Sequence, residues 1–379
     1  MKIVLAPDSF KGTLSSLEVI QHVESVAHEH FPSLEIVKVP IADGGEGTVE
    51  ALVLAAGGEY RIVQVTDPLG RKIKARYGVV NNKTAILEMA QASGLPLLSG
   101  NERDPLVTTT YGTGELIKAA LDEGIRQLII GIGGSATNDG GLGAAQALGI
   151  QFLDKAGEEV GFGGQALSRV SSIDTKGLDP RIQECSITVI CDVSSPLTGP
   201  AGATYTFGPQ KGADAKKLEI LEAGMKNYAA VLAKHVGFDI GNTAGAGAAG
   251  GLGATLLGFF GATLKPGIDT VLDFVQFDRL LEGADLVITG EGRIDGQSIF
   301  GKVPVGVAKR SKEKNVPVAA IVGSMGPDAQ KVYMYGIDSI IPAVNGVMPL
   351  EEALSRSEEL IRDAADRLFR LLKVGMKIS

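Results

Sequence analysis

Apolar and polar positions follow two different rhythms along the chain, and the change of rhythm divides it into three stretches. The first and last stretches alternate short buried strands with amphipathic helices, which is typical of a parallel sheet covered by helices. The predicted strands there are residues 3–6, 35–40, 284–289, 316–322 and 339–343. The predicted helices are residues 14–28, 48–56, 304–312 and 350–372, with Ser15 as the expected cap of the first.

The middle stretch begins near residue 60 with strict alternation on both sides of Asp67-Pro-Leu-Gly70, which predicts a hairpin. The predicted strands are 61–66, 72–80, 84–89 and 186–191; the predicted helices are 115–123 and 142–148; a second hairpin is expected over 151–160, turning at 155–157. We therefore predict an α/β protein with a discontinuous Rossmann-like, doubly wound parallel-sheet domain (1–60 and 265–379) and an inserted α+β domain containing a mixed sheet (61–264). Ligands of such folds bind at the carboxyl ends of strands, so a cleft facing the insert is the expected site.

Composition narrows the class of protein. The 379 residues, with no Trp and 44% hydrophobic positions, suit two packed domains. A net charge of −8 without a basic block argues against nucleic acid or an anionic membrane as partner. Cys185 and Cys191 lie too far apart on one strand to bridge, and no signal peptide is evident, so we expect a cytoplasmic protein. The uncharged stretch 241–264 could span a bilayer by length, but its glycines and alanines favour a buried, closely packed helix.

A glycine-rich segment, residues 131–141, follows the apolar run 128–130 and opens a helix near Leu142. Glycines let several backbone N–H groups converge on one anion, and small side chains leave room for a large polar ligand. Asn138 and Asp139 offer oxygens to a metal or a hydroxyl. Segments 43–48 and 290–295 have a similar build, and together the three suit a phosphate with Mg²⁺.

Further motifs leave alternatives open. Asp8 and Lys11 lie at the mouth of the first strand, where they either meet a ligand or belong to an ordinary turn. Asp43 is preferred to Glu46 as a ligand, because Glu46 can simply stabilise a helix N-terminus. Thr113 either caps the helix after it or belongs to an anion site. Asp192, at a strand end before a loop rich in Pro and Gly, either serves in metal binding or proton abstraction or caps a turn.

Two apparent nucleotide motifs are rejected. Residues 296–302 have nearly the P-loop spacing, but Val303 replaces the Ser or Thr that holds Mg²⁺, and the predicted strand ends too early. Lys302 can still reach a phosphate, because Pro304 places it beside a helix N-terminus. Residues 245–250 match the dinucleotide pattern without a strand before them. The histidines lack the spacing of a zinc site or a catalytic triad.

Taken together, these segments resemble the type-1 glycerate kinase family. The matching runs are 6–12, 42–48, 108–115, 131–141, 207–213 and 290–295 with Gly301-Lys302, in order along nearly the whole chain. The resemblance implies phosphorylation of D-glycerate by ATP with Mg²⁺, usually at the 2-hydroxyl, in a two-domain fold with the active site between the domains.

Within that reaction we assign roles as hypotheses. The backbone of Gly133, Gly134, Ser135, Ala136 and Thr137, with Asn138 beside it, and the side chain of Lys302 bind the ATP phosphates. Asp43 and Asp295 hold Mg²⁺. Asp192 is the base for the glycerate hydroxyl, and Lys11 or Arg293 binds the carboxylate. Glycerate 3-kinase regiochemistry, a nicotinamide-dependent hydroxy-acid dehydrogenase and a non-catalytic sugar-acid binding protein are the alternatives, and a homodimer is left open.

Overall fold

The computed structural model describes residues 1–10, 12–41, 48–299 and 301–378. The strands are β1 Lys2–Pro7, β2 Glu35–Lys38, β3 Glu59–Thr66, β4 Lys72–Val80, β5 Thr84–Glu88, β6 Gln127–Gly131, β7 Gln151–Leu153, β8 Ser172–Asp174, β9 Ser186–Ile190, β10 Thr263–Lys265, β11 Leu286–Ile294, β12 Val318–Met325 and β13 Ser339–Pro342. The helices are α1 Ser16–His30, α2 Thr48–Ala56, α3 Ala90–Ser93, α4 Tyr111–Asp122, α5 Leu142–Ala147, α6 Ala203–Phe207, α7 Ala215–Val236, α8 Ala248–Phe260, α9 Gly267–Phe274, α10 Phe277–Leu280, α11 Val303–Glu313, α12 Leu350–Ser355 and α13 Ser357–Ile378.

The chain forms two compact units. Unit 1 consists of Met1–Asp43, Leu54–Ala56 and Gly267–Ser379, and unit 2 of Gly44–Val53 and Gly57–Pro266. The division into two separately folding domains, with boundaries at residues 60/61 and 264/265, stays a prediction.

Unit 1 contains a five-stranded, wholly parallel sheet in the order β13-β12-β11-β1-β2. From β1 the chain adds β2 on one side, and the later strands β11, β12 and β13 follow on the other side. The strand order therefore reverses between β1 and β11, and a parallel sheet opens a ligand crevice at the carboxyl ends of such a pair. Helix α1 begins with a capping box, in which Ser15 and Glu18 bond to each other's backbone N–H, as the sequence predicts for Ser15.

Unit 2 contains a six-stranded mixed sheet in the order β10-β9-β6-β5-β4-β3. Strands β3, β4 and β5 pair antiparallel, as the hairpin signal at Asp67–Gly70 predicts, whereas β5, β6, β9 and β10 run parallel. The carboxyl ends of the parallel strands consequently lie on one edge. The predicted α/β class, with one parallel and one mixed sheet, is confirmed.

Strand β11 differs from the prediction, which ended it at Thr289 and placed a glycine turn over 290–295. Pairing with β12 continues through Arg293 opposite Ser324 and Ile294 opposite Met325. Gly290 does not form a turn. It allows β12 to lie close to β11, because a Cβ at this position would lie 2.1 Å from the carbonyl oxygen of Ile321. One ground for rejecting a P-loop was therefore wrong, since a strand does lead directly into residues 296–302, and Val303 is the remaining departure from that motif.

The predicted hairpin over 151–160 is confirmed: the Asp154 N–H donates to the Glu158 carbonyl at 2.9 Å, and Leu153 pairs antiparallel with Glu159 beyond the turn at 155–157. Strand β7 also pairs with β8. One smaller prediction is corrected. The helix predicted over 350–372 is divided into α12 and α13, because Arg356 leaves the helical region with φ −104° and ψ 18°.

The stretch 241–264 is closely packed, as predicted. Helix α8 contains three successive left-handed residues from Ala249 to Gly251, and a Cβ on Gly250 would lie 2.0 Å from the Thr137 carbonyl oxygen. In the part of the chain that the structure describes, no helix combines the length and apolar character needed to cross a bilayer.

Candidate active site

Unit 1 has a cavity of about 550 Å³ at the carboxyl edge of its sheet. Residues that follow β1, among them Asp8 and Phe10, line it together with Glu291 and Arg293 at the end of β11 and with Lys302 at the start of α11. The cavity thus lies where the strand order reverses. Asp8 is buried, and its Oδ1 accepts a 2.7 Å bond from the Ser9 N–H.

Glu291 is a buried carboxylate that the sequence reasoning did not select. The residue is 5% exposed, and its carboxylate accepts hydrogen bonds from Ser298 Oγ at 2.7 Å and from Lys302 Nζ at 3.0 Å. Burial raises the pKa of Glu291, although the bonds from Ser298 and Lys302 oppose the rise. Its position between two glycines was the signal available in the sequence. The pair holds the Lys302 ammonium beside the N-terminus of α11, where anions are favoured.

Three residues chosen from the sequence come together here. The Nε of Arg293 lies 3.7 Å from Oδ2 of Asp295, and Lys302 Nζ lies 3.4 Å from the Arg293 carbonyl oxygen. The Arg293 side chain is 62% exposed and therefore able to meet an anionic ligand. Asp295 Oδ1 accepts the Gln297 N–H at 2.9 Å. Lys11 and Asp43, the other two candidates assigned to the turns after β1 and β2, lie outside the described residues, as does Glu46.

In unit 2, candidate residues line the carboxyl edge of the parallel strands. Gly133 to Asn138 follow β6, and Asp192 follows β9 with an exposed side chain. At the end of β5, the buried Glu88 accepts the N–H of Val49 at 2.9 Å. Glu88 binds the first turn of α2, a role that the sequence analysis did not assign.

The segment proposed for the phosphates is only partly open. Gly133 and Gly134 are exposed, whereas Ser135, Ala136, Thr137 and Asn138 are buried. The Ala136 N–H donates to the Ser93 carbonyl at 2.9 Å, so a phosphate would have to displace that carbonyl to use it. The exposed Gly133 and Gly134 are therefore the more accessible part of the proposed phosphate site.

Asp139 has a structural role. Its carboxylate is fully buried and accepts four hydrogen bonds, from Thr110 N–H and Oγ1 and from the N–H groups of Gly141 and Gly143. The prediction that Asp139 offers oxygens to a metal or a hydroxyl is wrong, because the protein itself uses them. Burial raises the pKa of Asp139, and these four bonds oppose the rise.

Thr113 does not cap α4. The helix begins after Thr110, and the Thr113 hydroxyl instead donates to Ser93 Oγ at 2.8 Å in the interior of unit 2. Of the two interpretations of the motif 108–114, simple capping by Thr113 is therefore wrong.

Lys211 is a second residue that the sequence reasoning missed. Its side chain is 1% exposed, its ammonium donates to the Thr137 carbonyl at 2.6 Å, and burial lowers its pKa to about 7. Nearby, Asn138 Nδ2 donates to Thr204 Oγ1 at 3.1 Å, while Asn138 Oδ1 and Thr137 Oγ1 have no hydrogen-bond partner among the described residues. A lysine from the matching run 207–213 thus holds the glycine-rich segment in place through the carbonyl of Thr137.

Comparison with known proteins decides between the candidate families. The glycerate kinase family model matches residues 3–373. The chain belongs to the glycerate kinase family. The resemblance predicted from the motifs is confirmed, and membership makes the protein a kinase.

Individual relatives match over their full lengths. A glycerate kinase of Bacillus subtilis is 50% identical over 99% of this chain and 98% of its own. A glycerate 2-kinase of Escherichia coli K12 is 48% identical over 100% of this chain and 99% of its own. A crystal structure of a candidate glycerate kinase 2 from Salmonella typhimurium LT2 superposes with a TM-score of 0.90 at 47% identity, covering 100% and 99% of the two chains. The fold of this glycerate kinase family member is therefore that of its relatives.

Proposed function

We propose that this protein transfers the γ-phosphoryl group of ATP to the 2-hydroxyl of D-glycerate. The substrate and position follow from the near full-length similarity to the E. coli glycerate 2-kinase. In the molecule itself, the observation that carries the proposal is the ammonium of Lys302, held by the buried Glu291 at a helix N-terminus in the crevice of a parallel sheet. A fixed cation beside converging N–H groups stabilises the charge of a transferring phosphoryl group.

Mg²⁺ is part of the proposal. Among the described residues, no group of three or more His, Cys, Asp and Glu side chains could hold a metal ion. Mg²⁺ needs no such group, because it is commonly bound by one or two carboxylates and completed by substrate phosphates and water. Asp295, close to Arg293 and Lys302, would supply one carboxylate, and Asp43 is assigned the other from the sequence. The bound metal would neutralise charge on the phosphates.

Asp192 is proposed as the base. It follows the end of β9, on the same sheet edge as Gly133 and Gly134, and its side chain is exposed to a substrate. Lys11 or Arg293 is proposed to bind the glycerate carboxylate. A cytoplasmic location is also proposed, supported by Cys185 and Cys191, which are both free thiols.

The experiment is a kinetic comparison of wild type with Asp192→Asn. Loss of the base should lower kcat by about 10²- to 10⁴-fold with little change in either KM. The matched control is Asp174→Asn, a partly buried aspartate at the end of β8 in the same unit, which should leave kcat unchanged. Turnover of Asp192→Asn near that of wild type would exclude this residue as the base.

Phosphorus NMR of the product tests the reaction itself. We expect 2-phosphoglycerate from glycerate and ATP, and no reduction of NAD by glycerate. A product phosphorylated at the 3-hydroxyl would overturn the regiochemistry, and formation of NADH would favour the dehydrogenase. Ligand-induced stabilisation without either product would indicate a binding protein.

A further inference from the structure

We infer that the cavity of unit 1 binds the adenosine moiety of ATP, with the base packed against α12 and α13 and the phosphates directed to Lys302. The inference rests on the proposed kinase function and adds to it the place of the nucleotide. No residue of α12 or α13 has a role in the reaction described so far.

The cavity has two unlike walls. One wall is polar and consists of the strand ends: Asp8 and Ser9 after β1, Glu291 on β11 and Ser324 on β12. The other wall is mostly apolar and is formed mainly by the two C-terminal helices, with Leu350, Ala353, Leu354, Leu360 and Ile361. Pockets for cofactor-sized molecules have this composition, with apolar lining and a few polar groups that fix orientation.

The apolar wall is partly uncovered. Leu350 is 73% exposed and Leu354 is 44% exposed, although both face the lined cavity. Exposed leucines grouped at the rim of a concave site mark a surface that a ligand covers. A planar purine would remove these side chains from water, and burial of apolar surface favours binding.

Glycerate is the other ligand available to the reaction, and it is too small to account for the whole cavity, even with its carboxylate on Arg293 at the end of β11. A volume of about 550 Å³ is far more than a small hydroxy acid fills, and the apolar wall offers nothing to its hydroxyls. The floor also carries two buried acids, Asp8 and Glu291, at 6% and 5% exposure. These carboxylates can accept hydrogen bonds from ribose hydroxyls or from an exocyclic amino group.

The position of the cations fixes the orientation of the nucleotide. Lys302 and the exposed Arg293 lie at the β11 side of the cavity, at the N-terminus of α11. The phosphate chain must therefore leave the cavity on that side. The base is left for the side formed by α12 and α13.

The test places substitutions in the apolar wall of the full-length protein. Ala353→Trp and Leu354→Glu should each raise the KM for ATP at least about tenfold, because the base loses its place, and should leave the KM for glycerate within about twofold. Leu371→Glu is the control, since Leu371 is 62% exposed on α13 and does not line the cavity. A rise in the KM for glycerate with an unchanged KM for ATP would overturn the inference.

A second measurement does not depend on turnover. Wild-type protein is photolabelled with 8-azido-ATP, digested and mapped by mass spectrometry. We expect labelled peptides from residues 343–361, and competition by ATP but not by glycerate. Labelling confined to unit 2 would place the base elsewhere and overturn the inference. If glycerate is not phosphorylated but labelling falls on 343–361, the proposed function fails and the nucleotide site stands.

Discussion

The ammonium of Lys211 lies 2.6 Å from the carbonyl oxygen of Thr137 and is almost completely buried. This bond joins the run 207–213 to the glycine-rich segment after β6, two motifs that are far apart in sequence. A buried ammonium is costly, and the cost lowers the pKa of Lys211 to about 7, with Asp139 opposing the shift. The segment is therefore fixed by a group whose charge changes near neutral pH.

Replacing Lys211 by Met should change how stability depends on pH. The folded pKa of about 7 lies below the ordinary lysine value of 10.5, so between these values the unfolded chain binds more protons than the folded one. Wild-type stability then rises with pH over this window, by up to about 1.4 kcal/mol per pH unit for this group. The free energy of unfolding in urea, measured for both proteins from pH 6.5 to 9, should diverge in favour of wild type as pH increases. Parallel curves would contradict the burial of a titrating Lys211.

Asp139→Asn should destabilise unit 2 strongly. The amide would keep one acceptor oxygen but place an NH₂ group against N–H and O–H donors that the carboxylate now accepts. Buried donors left unsatisfied cost about 1–3 kcal/mol each, so we expect a total loss of about 2–4 kcal/mol. Asp154→Asn is the control, because Asp154 accepts two N–H bonds in a partly exposed turn and its loss should cost less than about 1 kcal/mol. If urea unfolding showed the same loss of free energy of unfolding for both variants, the burial of Asp139 would not be the cause of the loss.

Local periodicity was enough to predict many elements. Helix α2 and strand β4 have the predicted bounds, because a continuous apolar helix and a strict alternation are strong local signals. The extension of β11 could not be predicted in this way. Gly290 resembles a turn residue in sequence, and its actual role depends on Ile321 of a neighbouring strand, which local pattern does not reveal.

The residues of the site also divide into those with a local sequence signal and those defined by a distant contact. Arg293 could be chosen because it lies in the glycine-rich segment 290–295, and Lys302 because Pro304 marks the start of a helix beside it; the structure places the two near each other. Glu291 and Lys211 were missed because what distinguishes them is burial beside a distant partner, and a charged residue in a sequence is first taken to be exposed. Catalytic and metal-binding roles, and an active site between the domains, stay predictions.

Lys302→Met should impair use of ATP while leaving the fold intact. The substitution removes the cation at the start of α11. Of the two described side chains that donate hydrogen bonds to Glu291, Ser298 remains. We expect kcat/KM for ATP to fall by about 10²-fold or more, since a fixed donor to transferring charge contributes about 2.7–4 kcal/mol. Lys314→Met, at the exposed C-terminal end of the same helix, should retain wild-type kinetics. Equal activity of the two variants would remove Lys302 from the phosphate site.

Gly112→Ala tests whether the first turn of α4 is packed as closely as the backbone indicates. A Cβ at Gly112 would lie 1.9 Å from the Thr66 carbonyl oxygen, so either α4 or β3 must shift. Overpacking of this kind costs about 1–3 kcal/mol, and the cost should be visible in urea unfolding. Gly100→Ala is the control, because a Cβ there meets no atom within 4 Å. Reduced freedom of the unfolded chain should leave that variant neutral or more stable by up to about 1 kcal/mol. If the two variants had equal free energies of unfolding, α4 would not lie as close to the Thr66 carbonyl of β3 as the structure indicates.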